Sequence, residues 1–181
     1  LWMIKVLKNV LTPEYLELKK TVLSEHFNWF YGSSMSSSHP CEKGHIHMPY
    51  YRHGFLTRPE MMGFQGVESP HTEKNILVLH QILQSNNLFR PNGYFFLRSC
   101  ANCTHPDQNE QLSAPHVDHE FPHWNLLIYL EGDGRTFVEG EEHNPKEDDI
   151  ILFKGRHYME RPKTGRRVVL VSTLFEIDIN N

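Results

Sequence analysis

What most restricts the fold of this chain is a change of period partway along it. Up to about residue 90, apolar residues recur at helical spacing in two places. Beyond that, Tyr94 to Leu97, Asn125 to Leu130, Thr136 to Val138, Ile150 to Phe153 and Val168 to Ile177 form short apolar or alternating runs. These runs are rich in β-branched and aromatic residues and are separated by Gly, Pro, Asn and Asp. Short strands at this spacing predict a barrel or jelly roll with the helices packed outside it. The expected fold class is mostly β with flanking helices, built on a double-stranded β-helix (jelly-roll, cupin-like) core.

The helices carry ordinary start signals. Thr12 is a natural N-cap and Pro13 suits the first helical position, after which Tyr15, Leu18 and Val22 repeat on one face. Ser69 and Pro70 read as a second cap before Ile76, Leu79, Ile82 and Leu83, with an end near Asn86 and Asn87. Trp2 to Leu7 reads as a short strand. From about Gly32 to Gly66 the chain is irregular, with serines at 33, 34, 36, 37 and 38 followed by scattered Gly and Pro. A loop this long inside a domain is usually functional or disordered. It reads either as a lid that brings Tyr50, Tyr51 and His53 to a substrate or as an ordinary surface loop.

A length of 181 residues suits one domain, 1–181, with 1–90 as helical and loop support and 91–181 as the jelly-roll core. Hydrophobic residues are 39% and charged residues 22%, and no apolar stretch is long enough to cross a bilayer. A formal net charge of -4 gives no basic field, so nucleic acid is not an expected partner. Three cysteines do not describe a disulfide scaffold. Lys5 and Lys8 interrupt the first apolar run, and no small-residue cleavage pattern follows. The expected location is the cytoplasm.

Thirteen histidines invite a metal reading without locating it. A mononuclear iron oxygenase centre needs two imidazoles and a carboxylate on one face of the metal. A His-x-Asp pair on a strand supplies two of these, because side chains two apart point the same way. Composition alone predicts roughly 1.6 His-x-acid triplets. Three occur, at His71 to Glu73, His105 to Asp107 and His116 to Asp118. The first lies at a helix start, where residues two apart do not share a face, and the second carries Pro106. Only His116 and Asp118 stand before strands that could close over them. His157 follows the run Ile150 to Phe153 and the turn Lys154, Gly155, Arg156, where it is placed to be the third ligand. Ten residues later Arg167 opens the last strand, and a guanidinium there could anchor one end of a dicarboxylate.

With these pieces in view, the chain resembles the prolyl 4-hydroxylase-like branch of the iron(II) and 2-oxoglutarate dependent oxygenases, in its short bacterial and phage form. The matching segments are HVD at His116 to Asp118, LLIYLEG at Leu126 to Gly132, GDGRTF at Gly132 to Phe137, the distal His157, and GRRVVLVSTLF at Gly165 to Phe175. FNWFYG at Phe27 to Gly32 and the strand FFLRSCAN at Phe95 to Asn102 also resemble it. The resemblance implies iron(II) on His116, Asp118 and His157, with 2-oxoglutarate as cosubstrate and O2 as oxidant. It places the far carboxylate of 2-oxoglutarate on Arg167, preferred over Arg166 because the family's basic residue stands two after the Gly, and a cosubstrate hydrogen bond on Tyr129. The implied activity is hydroxylation of a small-molecule or peptidyl substrate, a prolyl or other amino-acid residue being the candidate, with 2-oxoglutarate decarboxylated to succinate. Two departures stand out: Asp133 precedes Gly134 where the family often has paired glycines, and Val171 replaces a polar residue.

Two rivals remain open at this stage. Cys100, Cys103 and His105, joined by Cys41, His45 or His47, could hold structural zinc. A nonenzymatic metal-binding or sensory barrel of cupin type could keep the triad but would have no need of Arg167. His119 and His123, close to His116 but separated by Pro122, read as residues of the site's mouth.

Overall fold

A computed structural model of the chain describes residues 3–36, 38–109 and 111–178. Trp2 and Ser37 lie outside the described residues. Along the chain the elements are β1 (Ile4–Leu7), α1 (Pro13–Leu23), β2 (Phe30–Gly32), β3 (His45–Ile46), β4 (Tyr50–Leu56), α2 (Pro59–Met62) and α3 (Thr72–Ser85). There follow β5 (Gly93–Thr104), β6 (Leu112–Ser113), β7 (Trp124–Glu131), β8 (Thr136–Val138), β9 (Glu141–His143), β10 (Ile150–Phe153), β11 (His157–Met159) and β12 (Arg167–Ile177).

Seven strands form the major sheet in the order β1-β10-β7-β12-β5-β4-β2. Each strand pairs antiparallel with its neighbours. Facing it are β11-β8-β9 and the parallel pair β3-β6, stitched together by a bridge from Leu112 to Glu160. This arrangement is the double-stranded β-helix. β1, β2 and β4 come from the first ninety residues, so the major sheet is completed by both halves of the chain.

The major sheet is buried on both faces, which is why β10 reads as an unbroken apolar run. Its outward side chains, including Leu126, Ile128, Leu130, Ile150, Leu152, Val168 and Leu170, pack with Tyr15, Leu18 and Val22 of α1 and Val78, Leu79 and Leu83 of α3. Its inward side chains form a smaller cluster between the sheets, of Leu127, Tyr129, Val138, Ile151, Phe153 and Val169. Strand alternation alone divides β7 and β12 between the two clusters.

Thr12 caps α1 as its sequence requires, its hydroxyl accepting from the Tyr15 amide at 3.2 Å. The second long helix starts at Thr72 rather than at Ser69 and Pro70. There Ser69 instead ties the preceding turn, accepting from the His71 amide at 3.1 Å. The larger departure is in the segment from Gly32 to Gly66, which is not a continuous loop. β4 runs through it as a strand of the major sheet, paired with β5. Gly54 and the polar residues around it hid that strand from a reading based on apolar alternation. Among the described residues, no helix is long and apolar enough to cross a membrane.

Candidate metal and cosubstrate site

His116 and His157 are held by each other's backbone. The His116 amide donates to the His157 carbonyl at 3.0 Å and the His157 amide to the His116 carbonyl at 2.9 Å. This isolated bridge sets the two imidazoles with centroids 4.6 Å apart. Asp118 follows in a bend, so the His-x-Asp pair is carried by a bridge and a bend rather than by a regular strand. Its side chains still converge. Donor atoms of His116, Asp118 and His157 all lie within 4.8 Å of one another, the one such cluster of three or more among the described residues.

The protonation pattern of this cluster follows from its partners. Nδ1 of His116 is 3.1 Å from the Ala114 carbonyl, and Nδ1 of His157 is 3.2 Å from the Gly155 carbonyl. A carbonyl can only accept, so in the neutral rings Nδ1 carries the proton and Nε2 the lone pair. Burial, reinforced by the neighbouring His157, pushes His116 down to about 4, and burial lowers His157 as well. Both rings are therefore neutral donors at pH 7. Burial alone would raise the Asp118 carboxyl, but Arg98 and the two histidines hold it well below the ordinary carboxylate range. Oδ1 of Asp118 accepts from Nη1 of Arg98 at 2.6 Å, whereas the buried Oδ2 has no donor and faces Nε2 of His157 at 3.5 Å. A buried carboxylate oxygen left bare between two imidazole lone pairs is costly unless something positive fills the space. The donor set of two imidazoles and one carboxylate fits iron(II).

The triad opens into a cavity between the two sheets, whose far end is Arg167, beside Met159 and Thr136. Arg167 is only 4% exposed. Nη2 donates to Oγ1 of Thr136 at 3.0 Å and Nε to the Gly134 carbonyl at 3.2 Å, and the guanidinium lies 5.3 Å from the Tyr129 ring centroid. Among the described residues no carboxylate pairs with it. Arg166 points the other way and ion-pairs with Glu131 at 2.6 Å. The hydroxyl of Tyr129 shares a hydrogen bond with Oγ1 of Thr136 at 2.7 Å, so the two residues form a linked pair beside the Arg167 guanidinium.

The turn after β7 is shaped by glycine despite Asp133. Gly132 and Gly134 have φ of 87° and 107°. A Cβ on Gly134 would meet the Glu160 carbonyl at 2.5 Å and Cδ of Arg167 at 3.1 Å. Asp133 itself accepts from the Lys163 amide at 2.9 Å. Val171 lines the cavity as an apolar wall, and Thr136 supplies the polar group near Arg167.

Several expectations are corrected by the packing. His119 lines a pocket beside His116 and Asp118, as a residue of the mouth would, held there by Nε2 on Oγ1 of Thr173 at 2.7 Å and Nδ1 against Glu60, whereas His123 is buried outside it. Of the three aromatic residues suggested for substrate contact, Tyr50 lines the cavity, Tyr51 lies beside Tyr31, and His53 is buried between Asn28 and Ser69. Cys100 and Cys103 are three apart on β5 and so face opposite sides. Cys100 lies next to Arg98 and Cys103 in the outer core, which removes the C-x-x-C chelate. Arg98, Arg58 and Thr136 were passed over by sequence reasoning. Arg98 did carry a signal, as a lone cation inside an otherwise uncharged strand.

No family model matches the sequence, and no curated protein does. Among solved structures, the chain is similar to a 2OG-Fe(II) oxygenase family oxidoreductase from Burkholderia pseudomallei, with a TM-score of 0.62 and 14% identity over 88% of this chain and 76% of that one. It is similar to a prolyl-4-hydroxylase from Pseudomonas putida, with a TM-score of 0.54 and 11% identity over 94% and 91%. It also resembles the non-heme alpha-ketoglutarate-dependent epimerase SnoN of nogalamycin biosynthesis, with a TM-score of 0.57 and 11% identity over 96% and 78%. At these identities the likeness establishes a shared fold: the double-stranded β-helix on which these oxygenases are built.

Proposed function

We propose that the chain is one catalytic domain, an iron(II)- and 2-oxoglutarate-dependent dioxygenase. His116, Asp118 and His157 hold the metal and Arg167 anchors the cosubstrate. The single observation that carries this reading is Arg167: a buried guanidinium with no carboxylate partner among the described residues, at the far end of the cavity that holds the triad. A buried cation is retained only against an anion or a dense set of acceptors, and one carbonyl, one hydroxyl, a thioether and the Tyr129 ring fall short of that. A dicarboxylate spanning from Arg167 to the triad supplies the missing charge. Iron(II) bound there would supply the activation of O2 that converts 2-oxoglutarate to succinate and carbon dioxide and inserts the second oxygen atom into a substrate C–H bond.

The chain's own residues do the rest. Nε2 of His116, Nε2 of His157 and Oδ2 of Asp118 present lone pairs without first losing protons. Thr136 and Tyr129 fix the Arg167 fork, and Leu127, Val171 and Met159 keep the cavity walls apolar. Met35 and Tyr50 also line the cavity. The primary substrate is read as a prolyl or other amino-acid residue, supported by the shared fold with the Pseudomonas prolyl-4-hydroxylase. The likeness to an epimerase shows that this fold is also used for another outcome. A nonenzymatic barrel would keep the triad and leave Arg167 without purpose.

The test is succinate formation from 2-oxoglutarate under air with iron(II), measured alone and with a panel of proline-containing peptides. Turnover is expected in the native protein and absent in Asp118→Ala. A native protein that binds iron but forms no succinate in any arm would contradict the reading.

A further inference from the structure

We infer that Arg98 is a positioning residue for the metal: it occupies Oδ1 of Asp118 so that the carboxylate offers a metal ion Oδ2 alone, with part of its charge already neutralised. The inference rests on the proposed iron site and deepens it.

Arg98 sits on β5 in a row that crosses the major sheet, Phe153, Asn125, Thr173 and Arg98, by strand register. Its guanidinium is a planar fork matched to both oxygens of a carboxylate, and a purely structural ion pair would use both. Here the fork is split. Nη1 takes Oδ1 at 2.6 Å, Nη2 takes the Cys100 sulfur at 3.3 Å, and Oδ2 is left without a donor. A second guanidinium braces the same residue. Arg58, just ahead of α2, donates from Nη1 to the Asp118 carbonyl at 2.8 Å, with Nη2 3.8 Å from Oδ1. Asp118 is thereby fixed in main chain and side chain, with one oxygen free.

Two consequences follow from the charge. The buried carboxylate is compensated before any metal arrives, so the site stands preformed. A cation beside the ligand also weakens its donation and repels a divalent ion, so iron(II) is held less tightly, and by a poorer donor, than a bare aspartate would hold it.

The test compares Arg98→Met, which keeps bulk without charge, with Arg98→Lys, which keeps the charge. Iron(II) binding is titrated anaerobically without 2-oxoglutarate, and the visible band of the iron–2-oxoglutarate complex is then recorded. Arg98→Met is expected to bind iron(II) tighter by on the order of tenfold and to move the band to longer wavelength. Arg98→Lys should return both toward the native values. A scaffold role alone predicts the reverse: weaker iron binding and an unmoved band. Either that result, or an unchanged affinity with an unmoved band, overturns the inference. If Arg98→Met fails to fold, Arg98→Gln carries the comparison, because it keeps an amide donor but no charge. A native protein that binds iron(II) yet shows no band would remove the cosubstrate reading alone, since the affinity series needs no 2-oxoglutarate.

Discussion

Two backbone carbonyls, of Ala114 and Gly155, fix which nitrogen of His116 and His157 faces the cavity, and burial then keeps both rings neutral. This has a thermodynamic consequence for the metal-free protein. An unfolded chain protonates its histidines near 6.5, whereas folded His116 resists protonation down to about 4. The unfolded state therefore binds more protons in that window, and stability present above 6.5 is lost as pH falls toward 4. Urea midpoints of the metal-free protein should drop between pH 7 and pH 5, and a midpoint that holds or rises would contradict the assignment. At the other end of the cavity, Arg167→Ala should weaken 2-oxoglutarate binding by on the order of 100-fold while leaving iron(II) affinity nearly unchanged. Equal losses of both, measured by titration calorimetry, would mark Arg167 as structural.

Strand β12 is the element that ties site to core, because alternate residues serve different faces. Arg167, Val169 and Val171 face the cavity side, and Val168, Leu170 and Leu174 pack against the helices. Leu170→Ala should cost about 2–5 kcal/mol in chemical denaturation, as a fully buried leucine does. Gly134→Ala should lower 2-oxoglutarate affinity as well as stability, since the added Cβ strikes the Glu160 carbonyl and Cδ of Arg167. Loss of stability with native affinity would separate the turn from the site. These apolar strands were legible in the sequence: the observed β8 and β10 have the bounds that their β-branched and aromatic runs predict, and β7 and β12 differ by a residue or so. β4 was not, and the second half of β5 was legible only through the resemblance of FFLRSCAN at Phe95 to Asn102, because their inward residues, Tyr50, Arg98, Cys100 and Asn102 among them, line or flank the cavity and break the alternation that marks a strand.

Across the whole molecule, two sheets closed over a cavity place an incomplete coordination set at one end and, at the other, a buried cation that no carboxylate pairs among the described residues. The triad was readable as candidates because the third His-x-acid triplet alone precedes the barrel strands. Its bracing by Arg58 and Arg98 was not, since those contacts span 60 and 20 residues of chain and are set only by closure of the fold. The most direct test of the account is the anaerobic addition of iron(II) and 2-oxoglutarate to the native protein, followed by visible spectroscopy. The prediction is a charge-transfer band that needs both additions and is lost in His116→Ala and Asp118→Ala. No band in the native protein, or one that survives in those variants, would contradict it.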